Sequence, residues 1–195
     1  LDAVSGESAK QPVRRLSAAE LTETRREEIA DAAIAVFAEH GYRDASIAQI
    51  AKQMGAGHGT IYRYFENKRA IVEYVLRRSL IRLMQVVTDE PPEASDTADQ
   101  YRAQTARIGR TLYDLIIAEP DLGSVVFFVA GQVDSEMGEQ VRGAFDAVAS
   151  ATEKYLLNGI EKGFIADDLD TFRTASAIVG MIFEGARRVH MAEDQ

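Results

Sequence analysis

Between Ser46 and Lys68 the chain reads SIAQIAKQMGAGHGTIYRYFENK, and this stretch restricts the fold more than any other. Ser46 has the form of an N-cap, a side-chain oxygen placed to accept a free N–H of the following helix. Ile47, Ile50, Ala51 and Met54 then recur at helical spacing and make one apolar stripe. Gly55 and Gly57 punctuate a tight turn, because glycine takes left-handed backbone angles without a Cβ clash. A second helix is predicted from about His58 to Phe65. Ile61 and Phe65 point inward, and Thr60, Arg63 and Tyr64 face out. Asn67 caps a further helix that starts at Lys68. Two short helices joined by a glycine turn follow the helix-turn-helix plan, whose second helix suits a DNA major groove.

The flanking pattern is helical throughout. Helix 1 is predicted from about Thr24 to His40, with Ile29, Ala33, Val36 and Phe37 on its buried face and Gly41 at its end. Phe37, Ile50, Ile61 and Phe65 should meet in one small core. Helix 4 is read over 68–88, where Ile71, Val75, Ile81 and Leu83 face two different bodies. Residues 89–97 (DEPPEASDT) form an acidic loop or mobile corner. Later helices are expected at about 98–119, 121–131, 136–162 and 171–192. Gly163 is read as the left-handed residue after the seventh helix. No period-2 strand pattern occurs. The expected fold is all-α with about nine helices: a three-helix head over 24–68, a flexible arm over 1–23, and a body over 69–195 joined through helix 4. Ser17-Ala18-Ala19-Glu20 has the form of a capping box and starts a short turn within the arm. Arg14 and Arg15 reach DNA in one reading of the arm and are solvated in the other.

Charge supports the division. The net charge is −9 overall, yet residues 25–88 carry 10 Lys/Arg against 7 Asp/Glu, and residues 89–195 carry 9 against 20. A mildly basic front and an acidic back suit a DNA-reading head on a body that DNA repels. Cysteine is absent, so disulfides and thiolate metal sites are excluded. No apolar run approaches the ~20 residues of a membrane span, and no secretory signal is recognised. The chain opens at Leu1 rather than methionine, which leaves open residues before it. A cytoplasmic location is expected.

The segments Ser46-Ile47-Ala48-Gln49-Ile50-Ala51, Gly59-Thr60-Ile61-Tyr62-Arg63-Tyr64-Phe65 and Asn67-Lys68 resemble the TetR family of bacterial transcriptional regulators. The specific match covers about Arg25 to Ile71. The resemblance implies that the amino end of the second motif helix enters the major groove. His58, Gly59 and Thr60 then approach base edges, with Arg63 close by. Tyr62 and Tyr64 offer hydroxyls to phosphates, as do Ser46 with its helix amides and Lys68. The chain departs from the family at two DNA-facing positions. Gly57 stands where serine or threonine is usual, and His58 where lysine or arginine is usual. A phosphate-binding hydroxyl is therefore lost, and an imidazole replaces a permanent cation.

The resemblance further implies a homodimer through the last two helices, where Ala175, Gly180 and Gly185 suit close helix contacts. It also implies a small, apolar effector held in the body, in a pocket lined by Ile108, Leu112, Phe127, Phe145 and Met181. The function expected is a one-component repressor that leaves a palindromic double-stranded operator when an effector binds. Two other readings remain open: an activator of the same fold, and a helical protein–protein adaptor that does not bind DNA. His40, His58 and His190 stand near no nucleophile or carboxylate at catalytic spacing. The pair His190 and Asp194 falls at a fraying helix end. No enzyme activity, cofactor or metal is expected.

Overall fold

The computed structural model describes residues 17–118 and 130–193. These form eight α-helices and one 3-10 turn: α1 (Ala18–Asp44), α2 (Ile47–Gln53), α3 (His58–Tyr62), α4 (Lys68–Thr88), the turn at Pro92–Ala94, α5 (Ala98–Ala118), α6 (Ala130–Val133), α7 (Ser135–Glu161) and α8 (Thr171–Glu193). The helix expected over 121–131 lies outside the described residues except for its last two positions. The same holds for Arg14 and Arg15.

Helix α1 begins well before Thr24. Ser17 and Glu20 do form the capping box, with the Glu20 N–H donating to Ser17 Oγ at 3.2 Å and the Ser17 N–H to Glu20 Oε2 at 2.7 Å. The box opens α1 itself rather than a separate turn. Continuous helix is possible because nothing between Ala18 and His40 breaks it. Gly41 then takes φ +72°, kinking the helix where an end was expected.

Two apolar cores organise the packing. The head core joins Ile29, Ala33, Val36 and Phe37 of α1, Ile50 and Ala51 of α2, Ile61, and Phe65, with Ile71, Val72 and Val75 of α4. The body core joins Tyr101, Leu112 and Ile116 of α5, Val148, Ala149 and Tyr155 of α7, and Val179 and Phe183 of α8, with Val87 at the far end of α4. Helix α4 therefore belongs to both cores. Ile81 is not part of either inward face: it is 51% exposed. Six residues beyond Val75 is about 240° round a helix. The inward place goes to Ser79, whose hydroxyl donates to the Val75 carbonyl at 2.6 Å.

The acidic 89–97 segment is pinned rather than mobile. Tyr155 donates to the Val87 and Glu90 carbonyls, and Asn158 Nδ2 to the Pro92 carbonyl at 2.7 Å. Lys162 Nζ donates to the Glu93 and Ser95 carbonyls. Spacings of three and four residues put all three side chains on one face of α7. Sequence composition could not reveal partners 65–69 positions away. Helix α7 ends as expected, with Gly163 at φ +72°. The Phe164 N–H reaches the Gly159 carbonyl at 2.7 Å and the Gly163 N–H the Ile160 carbonyl at 2.9 Å, which is a Schellman motif.

Within the chain itself, close approach falls to Gly159. A Cβ on Gly159 would lie 2.8 Å from Ile165 Cδ1 and 3.1 Å from Tyr101 Cζ. Gly180 meets nothing within 4 Å, and Gly185 meets only ordinary contact with Tyr113. Gly159→Ala should therefore overpack this corner and lower stability by about 1–3 kcal/mol, read as a reduced denaturant midpoint at unchanged helix content.

Candidate nucleic-acid interface and effector cavity

The turn before α3 uses its glycines differently from one another. Gly55 has φ +64° and needs glycine. Gly57 is the N-cap of α3 with φ −81°, ordinary extended backbone, and supplies no side-chain cap. Helix α3 is shorter than expected and stops at Tyr62, after which Tyr64 and Phe65 both donate to the Ile61 carbonyl at 3.0 Å. The chain has to turn there because Asn67 Oδ1 caps α4, accepting the Ala70 N–H at 2.9 Å.

This arrangement leaves one side of α3 open. Ile61 and Phe65 are buried, at 0% and 3% exposure, while Tyr62 is 58% exposed. Gly57, His58, Gly59 and Arg63 are exposed, and Thr60 and Tyr64 are half-buried. No atom lies within 4 Å of a Cβ built on Gly57 or Gly59. The surface is thus free of steric demands from the rest of the head. Ser46 caps α2 as expected, but its hydroxyl is engaged: Ser46 Oγ lies 2.7 Å from Gln49 Oε1, which also accepts the Ser46 N–H at 2.8 Å.

Lys68 departs from the expected role. Its ammonium turns inward and donates to the carbonyls of Tyr42, Arg43 and Ala45, the last at 2.7 Å. It also sits 4.3 Å above the Tyr42 ring. An ammonium has three protons, so three carbonyls leave none for a phosphate. Burial pushes its pKa below the ordinary lysine value, and Asp44 pulls it back. Other head cations are also used internally. Arg78 pairs with Asp31 at 2.8 Å, and Arg26 lies 5.0 Å above the Phe65 ring. Arg43, Lys52 and Arg63 remain exposed. The positive charge offered outward is therefore smaller than the residue count implied.

Between α4 and α7 lies a cavity of about 270 Å³. Leu76, Leu80 and Leu83 line it from α4, Val141, Ala144, Phe145 and Val148 from α7, and Phe183 from α8. Glu73, Arg77 and Gln140 are its polar lining. The Phe145 and Phe183 rings meet edge to face at 4.5 Å between centroids. Of the five residues expected to form an effector pocket, Phe145 is the one that lines this cavity. Leu112 is sealed in the body core. Ile108 borders a separate, more polar groove with Arg82 and Arg107. Phe127 lies outside the described residues. Met181 is 67% exposed: among the described side chains of α8, Ala175, Val179 and Phe183 are buried, and two residues past Val179 is about 200° away. Leu83 is among the inward residues expected of helix 4, whereas nothing in the sequence marks which neighbour Leu76 and Leu80 face.

A three-helix head with an open α3, carried on a helical body with its own cavity, defines a helix-turn-helix regulator. The family model described as bacterial regulatory proteins, tetR family, matches residues 29–75. The fatty acid metabolism regulator protein of Bacillus subtilis (strain 168) is 26% identical over 157 residues, which is 80% of this chain and 79% of that protein. The solved fatty acid degradation regulator FadR from Bacillus halodurans superposes with a TM-score of 0.77 at 26% identity, covering 88% of this chain and 86% of that one. FadR from Bacillus subtilis in complex with stearoyl-CoA gives 0.68 at 25% identity, covering 87% and 89%. Over residues 29–75 the chain matches the TetR family model, and the relatives it resembles along most of its length are transcriptional regulators. No helix among the described residues is long and apolar enough to cross a membrane.

Two outcomes follow from the head's internal chemistry. Lys68→Met should lower the unfolding midpoint of the head, because three carbonyls lose a charged donor. The Tyr74 phenol donates to Glu23 Oε1 at 2.7 Å. Burial first, then Glu23, pushes its pKa up to about 12 from 10.0. Between those values the folded head keeps a proton that the unfolded chain has lost, so this contribution to stability falls as pH rises through the window. Melts at stepped alkaline pH should show less of this loss in Tyr74→Phe.

Proposed function

We propose that the protein is a one-component repressor that binds a palindromic operator as a homodimer and leaves it when an apolar effector occupies the cavity between α4 and α7. The open face of α3 on a fully packed head is the observation that carries this reading. His58, Gly59 and Thr60 meet base edges with Arg63 beside them, and Gly57 lets the backbone come close. Tyr62 and Tyr64 reach phosphates, together with the amino end of α2 at Ser46. Lys68 acts from behind this surface, fixing the 42–45 segment that leads into α2. Residues 24–68 are the DNA-binding domain and 69–195 the effector-binding and dimerisation domain, with α4 as connector.

One head of modest charge holds DNA weakly, and two heads about one helical turn apart hold a palindrome. The outer faces of α7 and α8 supply the dimer contact. Gly143, Ala147, Ala177 and Gly180 are exposed there, beside Leu157 at 50%, Phe172 at 43% and Met181 at 67% exposure. Small residues between large apolar ones on two adjacent helices suit packing against the same pair in a second copy.

The effector reading draws on the cavity's apolar walls and on the FadR relatives, one of which holds stearoyl-CoA. A fatty acyl thioester is the first ligand to try. The cavity is smaller than the ~300–1,000 Å³ common for small-molecule pockets, so a long guest enters by parting α4 from α7. A ligand shifts the operator equilibrium only by preferring the conformation that fits DNA less well.

Binding to DNA from the protein's own upstream region should fall steeply with salt. Thr60→Ala and His58→Ala should change which sequence binds best, while Tyr64→Phe should weaken all sequences alike. Gly57→Ser should raise operator affinity, since the site is open and serine adds a cap and a hydroxyl. Met181→Glu should yield monomers by sedimentation and lose operator affinity. Salt-insensitive retention of any DNA, or none at all, rejects the regulator mechanism; unchanged affinity with stearoyl-coenzyme A rejects only the ligand class.

A further inference from the structure

We infer that Arg69 is a positioning residue that fastens the DNA-reading head to the body, and that parting α4 from α7 acts by undoing this fastening. The inference deepens the regulatory reading above and rests on it for its biological meaning. Arg69 lies in the first turn of α4, next to Lys68. Its Nε donates to Asp134 Oδ2 at 2.8 Å, its Nη2 to Glu136 Oε2 at 2.8 Å and its Nη1 to Glu73 Oε2 at 3.3 Å. Asp134 is also the N-cap of α7, where its other oxygen, Oδ1, accepts the Met137 N–H at 2.8 Å. One carboxylate thus starts α7 and holds the guanidinium of α4.

Met137 completes the fastening. It is fully buried, not with the rest of α7 in the body core but in the head core, where Val133 and Val141 pack beside it. Gln132 of α6 approaches the kink of α1, its Oε1 3.7 Å from a Cβ built on Gly41. The amino end of α7 is therefore built into the head.

The same two helices meet at both ends of the cavity. At the far end Tyr155, Asn158 and Lys162 bind the chain that leaves α4. At the head end stand Arg69 and its carboxylates. Between them Val141, Ala144 and Phe145 of α7 face Leu76 and Leu80 of α4 across the cavity. The polar contacts at the two ends differ in exposure. Tyr155 is 5% exposed and Asn158 6%, whereas the Arg69 side chain is 31% exposed and Glu136 71%. Exposed ion pairs contribute little and are screened by salt. A wedge between α4 and α7 therefore breaks the exposed Arg69 contacts before the buried ones at Tyr155, and Met137, buried in the head, carries the displacement of α7 into it. Just before Arg69 come Asn67 and Phe65, the exit from α3, so the recognition helix moves with that end.

The absence of cysteine makes the test direct. Lys52→Cys on α2 and Arg102→Cys on α5, both exposed, take spin labels, and labelled chains are diluted with unlabelled ones. The parent should give one narrow head-to-body distance without DNA. Asp134→Asn retains the cap, since asparagine caps as well as aspartate, but loses the charge. Asp134→Asn and Arg69→Gln should each broaden and shift the distance, and weaken operator binding about two- to fivefold. Ala144→Trp, a built-in wedge, should shift it the same way. Parent-like distances in Asp134→Asn and Arg69→Gln overturn the proposal, even where the unfolding midpoint falls. Shifted distances with no operator binding by any of the proteins uphold the fastening and reject the regulator reading.

Discussion

Everything in this molecule depends on one helix being shared by two cores. The first turns of α4 bury Ile71, Val72 and Val75 among head residues, and its last turns bury Val87 among body residues. A rigid rod anchored in two separate apolar clusters cannot shift at one end without consequence at the other, because packed interiors resist continuous deformation. Head and body are thus mechanically one object, although their charge and composition differ.

The chemistry of the head shows how polar groups serve this rod. Lys68 and Arg69 are neighbours in sequence and do opposite things. Lys68 reaches back to the carbonyls of the α1–α2 connection and ties the helix-turn-helix to α4. Arg69 reaches across to α7. The hydrogen bonds to Arg69 and Met137 hold the Asp134 carboxyl below its ordinary pKa. Successive helical positions lie about 100° apart, so two adjacent cations address two different partners. The head therefore uses much of its positive charge within its own architecture, and its outward α3 surface is formed largely of neutral groups and the open backbone around Gly57 and Gly59.

The body combines a sealed core with an unfilled space. Tyr155, Asn158 and Lys162 hold the 89–97 segment, while about 270 Å³ between α4 and α7 stays open along leucine and phenylalanine side chains. Apolar walls on both helices offer a guest dispersion contacts along the cavity's length.

The sequence by itself determined which helices the head contains and their inward faces, though not where α1 begins or α3 ends. Ser46, Gly55, Asn67 and Gly163 act through backbone groups within a few residues, and Ile29, Phe37, Ile50, Ile61 and Phe65 repeat at helical period. Local hydrogen bonding and periodicity are properties of neighbouring residues, so they can be read along the chain. Only the tertiary structure decided where Lys68 and Arg69 point, that Met137 lies in the head, that Gly159 rather than Gly180 is the crowded glycine, and that Met181 faces outward while Leu76 and Leu80 line the cavity. Each of those facts joins positions tens of residues apart, or depends on which of several neighbours a helix face meets. Nothing in a one-dimensional pattern records that choice, because it is made by the packing of all the helices together.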